Sequence, residues 1–178
     1  MPRPRILPNI ILGLLYKNGK MSGKDMIEEF KNEISEFWSV SHSQLYPELQ
    51  RMTDEERISR LSNEGFSDSK IVIYEITDSG LYMLAKWFEE TITEKNDNLT
   101  PLKLYFIPKA SSPILENILK QEQELHKNKL SHLKERQSLL MPPQGHITEQ
   151  YGHYLILDQA LNREIHYLEW INNQLSKL

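Results

Sequence analysis

Three observations predict a mainly α fold with one small β-hairpin, divided into two parts. Apolar residues recur at helical spacing through positions 6–52, and a short stretch from 58 to 77 switches to a period of two. After residue 114, two long segments carry narrow apolar stripes. The change of pattern divides the 178 residues into an N-terminal domain over 1–95 and a C-terminal α-helical dimerisation domain over 96–178.

The first element follows from Ile6 to Tyr16, where apolar residues crowd a helix-length segment free of charge. The next begins at MSGKDM (21–26): Ser22 can cap, Asp25 stands three positions later, and Met26, Ile27 and Phe30 follow at helical spacing. A third helix is set by Leu45, Leu49 and Met52, starting at Ser41 to Ser43, with Pro47 expected in its first turn, where a missing N–H costs least. ISRLSNEG (58–65) and KIVIYEIT (70–77) read as strands, with a hairpin tip over Asn63 to Ser69. Thr77-Asp78-Ser79-Gly80 opens another helix, with Leu81, Leu84, Ala85 and Phe88 on one side. Three helices, a hairpin and a helix form the order of a winged helix-turn-helix module.

Beyond it, residues 114–140 make one long helix, MPPQG (141–145) breaks it, and a last helix runs from Tyr151 to Leu175. Tyr154, Leu161, Leu168 and Leu175 recur every seventh position there, with Leu157 and Ile171 between them. Seams this narrow favour a partner helix over solvent, so Leu157, Leu161, Leu168, Ile171 and Leu175 are the expected dimerisation residues. Glu164 and Asp158 interrupt the seam and argue against a pure coiled coil.

Composition narrows the function. Cysteine is absent, which excludes disulfides and thiolate metal sites and suits a reducing compartment. The apolar stretch near the N-terminus is too short for a membrane span, and no signal peptide is evident, so a cytoplasmic protein is expected. Residues 1–95 hold 12 basic and 16 acidic side chains, and residues 96–178 hold 9 of each, so neither half has the basic excess common in nucleic-acid binders. Charge is distributed unevenly, however: Arg3, Arg5, Lys17, Lys20 and Lys24 precede the first acid, Asp25, which permits a local positive face.

The most informative stretch is FWSVSHSQLYPELQR (37–51). From Phe37 to Pro47 no charged residue occurs, and hydroxyls, a His, a Gln and a Tyr lie at the start of an otherwise ordinary amphipathic helix. A helix enters the major groove tip first, and a carboxylate there would repel phosphate; none appears before Glu48. A capped surface helix is the plainer reading of this segment alone. Placed behind two helices and ahead of a hairpin, it becomes a recognition helix.

At these residues the chain resembles the PadR family of bacterial transcriptional regulators. ILGLL (11–15), MSGKDM (21–26), FWSVSHSQLYPEL (37–49) and YEITDSG (74–80) carry the likeness, continued by LKLYFIP (102–108) and YGHYLILDQALNREIHYLEW (151–170). The sequence departs from the family at Lys24, where Tyr is usual, and near the end of the third helix, where Glu56 and Arg57 stand in place of a usual Gly. The resemblance implies a homodimer of winged-helix domains that binds double-stranded operator DNA at an inverted repeat and represses transcription. It also implies release by hydroxycinnamic acids such as p-coumarate or ferulate, at the promoter of a phenolic acid decarboxylase gene.

Ser41, Ser43, Gln44 and Tyr46 are the expected DNA contacts, with Ser22 and Lys24 on phosphate; Lys70, Ser67 and Ser69 of the hairpin tip either reach the minor groove or form a solvated turn. Capping is the plainer role for each serine and does not exclude phosphate contact. Trp38, His42 and Tyr46, with His153 and Tyr154, lie in aromatic, largely uncharged stretches that suit a pocket for a small phenolic acid between the domains. Packed core or interface is the alternative role for them. Five of the six histidines lie beyond residue 125, but their spacing matches no metal motif, and neither metal nor cofactor is expected. Motifs for nucleophilic, nucleotide-dependent or dinucleotide-dependent catalysis are absent, so an enzyme is not expected. Two rivals remain open: a PadR-like repressor answering a different aromatic or drug-like ligand, and a helical protein-interaction module.

Overall fold

The computed structural model describes residues 5–35, 38–61, 71–140 and 150–178. Two compact units emerge, Met1–Glu90 with Leu99–Lys109, and Thr91–Asn98 with Ala110–Leu178.

In the first unit, α1 (Leu7–Asn18) is apolar on nearly every side and is therefore the buried centre, with Ile10, Ile11, Leu12 and Leu14 fully enclosed. Around it stand α2 (Gly23–Asn32), burying Met26, Ile27 and Phe30, and α3 (His42–Asp54), burying Leu45, Leu49 and Met52. The apolar spacing of the sequence anticipates these faces. Pro47 departs from expectation: it is the sixth residue of α3, in the second turn. Its missing N–H leaves the Ser43 carbonyl without the usual helical donor, and both residues are exposed, so water can satisfy it.

The sheet is larger than a hairpin. Strands β2 (Ile58–Leu61) and β3 (Ile73–Ile76) pair antiparallel, Ile58 opposite Ile76 and Leu61 opposite Ile73. A two-residue strand, β1 (Met21–Ser22), adds to the far side of β3 with Met21 opposite Tyr74, giving the order β1-β3-β2. Two residues are too few for any periodicity to reveal. The expected hairpin tip, with Ser67, Ser69 and Lys70, lies outside the described residues.

The turn from α3 to β2 places Glu56 at φ 55°. The Arg57 N–H donates to the Met52 carbonyl at 2.9 Å and the Glu56 N–H to that of Thr53 at 3.0 Å, a Schellman closure built on a left-handed glutamate. Helix α4 (Asp78–Glu89) is tied to this turn. Thr77 Oγ1 accepts from the Gly80 N–H at 3.1 Å and donates to the Glu56 carbonyl at 2.7 Å. A Cβ on Gly80 would stand 2.2 Å from the Arg57 carbonyl oxygen, so the close approach requires glycine.

After α4, the short α5 (Thr100–Tyr105) buries Lys103, whose Nζ donates to the Glu90 carbonyl at 3.1 Å beside the Trp87 ring. Burial and a hydrogen bond to Glu29 push the Tyr105 phenol well above the usual tyrosine range.

The second unit is a helical hairpin of α6 (Pro113–Leu140) and α7 (Tyr151–Leu175). Gln123 reaches Asn172 and His126 reaches Glu164, so the helices run antiparallel. Leu157, Leu161, Leu168 and Ile171 are buried within this one chain, and Leu175 is half-buried. Glu164 does not interrupt the seam as its charge suggests. It sits in the same stripe at 3 % exposure, with His126 Nδ1 against one carboxylate oxygen. His126 Nε2 lies 3.2 Å from Glu122, which also accepts from the Tyr167 hydroxyl at 3.0 Å. Burial and the Glu122 carboxylate hold the Tyr167 phenol far above its usual range. Among the described residues, no helix is long and apolar enough to cross a membrane.

Candidate nucleic-acid interface

The tip of α3 is exposed and neutral. Ser41 is its N-cap, and His42, Ser43, Gln44, Tyr46 and Pro47 are all solvent-accessible, while Leu45 and Leu49 hold the opposite face in the core. Ser41 donates to Gln44 Oε1 twice, from its backbone N–H and from its hydroxyl, each at 3.0 Å. Ser41 and Ser43 hydroxyls lie 2.8 Å apart.

The first acid of the helix, Glu48, is neutralised. Arg5 binds both Glu48 oxygens and donates from Nη1 to Glu55 at 2.9 Å, and Arg57 lies 3.0 Å from Glu55. Burial pushes the Glu55 carboxyl up. The Arg5 hydrogen bond and the charges of Arg57, Arg5 and Arg51 outweigh this and hold it below the usual carboxylate range. Arg5 is therefore spent on α3 and does not stand free for phosphate. Its partners lie 43 and 50 positions away, and no local pattern announces them.

The expected positive face is correspondingly reduced. Lys17 lies 3.5 Å over the Tyr105 ring and Lys20 lies 3.5 Å from Glu75. Arg3 is outside the described residues, and Lys24 is exposed in the first turn of α2. Ser22 is buried and closed into a capping box: its hydroxyl donates to Asp25 at 2.7 Å and accepts from the Asp25 N–H at 3.2 Å. With the Asp25 N–H taken by Ser22, what α2 offers a phosphate is Lys24 and the N–H groups of Gly23 and Lys24.

These groups open onto a cleft of about 610 Å³ between the start of α2, Tyr46 and the residues leading into β3. Tyr46 forms one wall, stacked on His42 with ring centroids 6.1 Å apart. Its ring presses on Gly23, where a Cβ would come within 2.7 Å. Gly23 thus lets α3 seat against the start of α2. Sequence reasoning missed Gln50 and Arg60, which join α3 to β2: Arg60 donates to Gln50, and Gln50 donates to Asp54 at 2.7 Å.

The expected effector residues divide between the units. Trp38, His42 and Tyr46 belong to the first; His153 and Tyr154 belong to the second, where Tyr154 stacks with Tyr151 at 6.0 Å. The second unit also holds a cavity of about 360 Å³ between α6 and α7, walled by Leu125, Leu133 and Ala160 and edged by Lys129 and Arg163. Lys129 is paired with Asp97 at 2.6 Å. Among the described residues, no three metal-ligating side chains come together.

Comparison with known proteins decides the family. Residues 11–86 match the model of the transcriptional regulator PadR-like family, and residues 98–178 match that of the virulence activator alpha C-terminal region. The chain is 37 % identical over 180 residues to the negative transcriptional regulator PadR of Bacillus subtilis, covering 98 % of each protein. It belongs to the PadR-like family. A probable transcriptional regulator of Mycobacterium tuberculosis is 33 % identical over 89 residues, 49 % of this chain and 46 % of that protein. Two crystal structures of Bacillus subtilis PadR are also similar. The complex with operator DNA has a TM-score of 0.46, 34 % identity and full coverage of both chains. The complex with p-coumaric acid has a TM-score of 0.42 and 35 % identity, over 97 % of this chain and 98 % of that one. This PadR-like chain is thus related to transcriptional regulators rather than to enzymes.

Proposed function

We propose that this PadR-like regulator is a homodimeric repressor that binds an inverted repeat through α3 and leaves it on binding a hydroxycinnamic acid such as p-coumarate or ferulate. The regulated gene would encode a phenolic acid decarboxylase. The observation that carries the DNA reading is the tip of α3: seven exposed or half-exposed neutral positions between Val40 and Pro47, interrupted only by buried Leu45, with Glu48 neutralised behind them. Such a tip enters the major groove without repelling phosphate. The effector class rests on 37 % identity to Bacillus subtilis PadR, a protein crystallised with p-coumaric acid.

A second copy is the partner that α7 calls for. The seam of α7 is used within the chain, yet Leu155, Ile156 and Trp170 remain 48, 66 and 42 % exposed. At 3.6 residues per turn these lie about 100–160° round the helix from the buried stripe. An apolar face of this kind favours association. Two recognition helices held one DNA turn apart then read two half-sites. An effector that prefers a dimer with another spacing lowers operator affinity, and DNA lowers effector affinity by the same factor.

A gel shift across a salt series tests this, using the DNA upstream of a neighbouring decarboxylase gene with and without p-coumarate. A salt-sensitive complex released by p-coumarate is expected. A salt-sensitive complex indifferent to hydroxycinnamates but released by another aromatic or a drug-like cation would retain the repressor and replace its effector. No complex at low salt would leave a helical protein-interaction module.

A further inference from the structure

The hydroxyls at the tip of α3 are joined in a chain whose direction can be worked out from its hydrogens. Gln44 Oε1 faces the Ser41 backbone N–H, a donor that cannot accept, so this end of the amide is the oxygen. The same oxygen receives the Ser41 hydroxyl, which spends the single hydrogen that Ser41 Oγ carries. The 2.8 Å contact between Ser41 Oγ and Ser43 Oγ then has only one possible donor, Ser43. Hydrogens run from Ser43 to Ser41 to Gln44.

From this we infer that the recognition tip has a fixed polarity, with Gln44 presenting only N–H donors to DNA and Ser43 presenting only oxygen lone pairs. Both side chains are exposed, and among the described residues no group engages the Gln44 amide nitrogen. The inference rests on the proposal that α3 enters the major groove. A free glutamine reads adenine by accepting from N6 while donating to N7. Here the oxygen is taken by the cap, so that paired reading is closed unless the start of the helix is undone. The edge that suits Gln44 offers acceptors alone: N7 and O6 of guanine, or O4 of thymine. Gln44 is a specificity-determining residue because of what its oxygen is doing elsewhere.

The experiment starts with a random duplex pool from which the wild-type protein selects its site. Base analogues then remove one group at a time from the selected duplex: 7-deazaguanine for guanine N7, 2-aminopurine for guanine O6, a 4-deoxy pyrimidine for thymine O4, and purine for the adenine N6 amine. Each duplex is titrated with wild type, Gln44→Ala and Gln44→Glu. The glutamate keeps both cap bonds, as in the S-x-x-E box, but has no donor. Melting curves of Gln44→Glu at or above those of wild type are expected, with the ratio of selected to unrelated DNA affinity falling about tenfold or more. Loss of one guanine N7 or O6, or of one thymine O4, should weaken wild type about tenfold and leave Gln44→Ala unaffected at that base, and the analogue that does so names the base. If the adenine N6 amine is the group coupled to Gln44, its oxygen accepts from DNA and the inference falls. It falls equally if no analogue distinguishes wild type from Gln44→Ala. Failure of the wild type to select any duplex overturns the DNA reading itself, a different result from either.

Discussion

The tip of α3 and the seam of α7 treat polar groups in opposite ways. On α3 they are exposed, neutral and bonded to neighbours two or three positions away. In the hairpin, two buried carboxylates are bonded to a half-buried imidazole and to a phenol, across 38 and 45 positions. The first arrangement leaves hydrogen-bonding groups facing outward to a ligand. The second turns them inward and fixes how α6 and α7 meet. Solvent decides the difference: a short relay in water costs little to solvate, whereas a buried carboxylate survives only with its partner in place.

The largest effect is expected where that partnership is broken. His126→Leu leaves Glu122 and Glu164 buried without the imidazole between them and should cost about 3–5 kcal/mol in urea unfolding. Replacing His126 and Glu164 together by leucine should recover part of the loss. A loss below 1 kcal/mol for the single change would mean that the two regions do not differ as described.

A smaller effect is expected at Gly23. A Cβ there meets the Tyr46 ring at 2.7 Å, so Gly23→Ala should cost about 1–3 kcal/mol and weaken operator binding by shifting Tyr46. Unchanged melting and binding would show that α3 does not seat against α2 through this contact.

Arg5→Ala probes the tip from behind. The pair is partly exposed, so the loss of stability should be about 0–1 kcal/mol, while operator affinity falls because Glu48 loses its neutralising charge. The Glu55 carboxyl is held low when folded. Its contribution is therefore present above the ordinary carboxylate range and lost as pH falls through its folded value. Wild-type stability should decline toward acid in that window, and Arg5→Ala should decline less.

The smallest effect is a gain. Glu56 occupies the left-handed region at φ 55°, which costs an L-residue about 1–2 kcal/mol, part of which glycine returns as chain entropy. Glu56→Gly should stabilise the protein by about 0.5–1 kcal/mol, read as a rise in thermal midpoint.

What the sequence made legible follows the same division. The Leu45, Leu49 and Met52 face, the Ser41 cap, and the Thr77 start of α4 are local patterns, and each appears where its spacing places it. Strand β1 is invisible because two residues have no period. The bond from Arg5 to Glu48 and the role of His126 are invisible because both depend on residues far along the chain. Glu164 misleads for that reason: a charge in an apolar stripe reads as an interruption until its distant partner is known. At the interface, the neutral tip was readable from composition, but the direction of its hydrogen bonds was not. That direction depends on which hydroxyl donates, a matter of angstroms rather than of spacing.

One substitution sets stability against DNA binding at the centre of the account. Ser43→Asp puts a carboxylate in the first turn of α3, where the helix dipole favours it, so the melting temperature should hold or rise. The same charge faces phosphate if this tip enters the groove, and affinity for the selected operator, measured at a single low salt concentration, should fall about 100-fold. A stable Ser43→Asp protein that binds the operator as tightly as wild type would contradict the account.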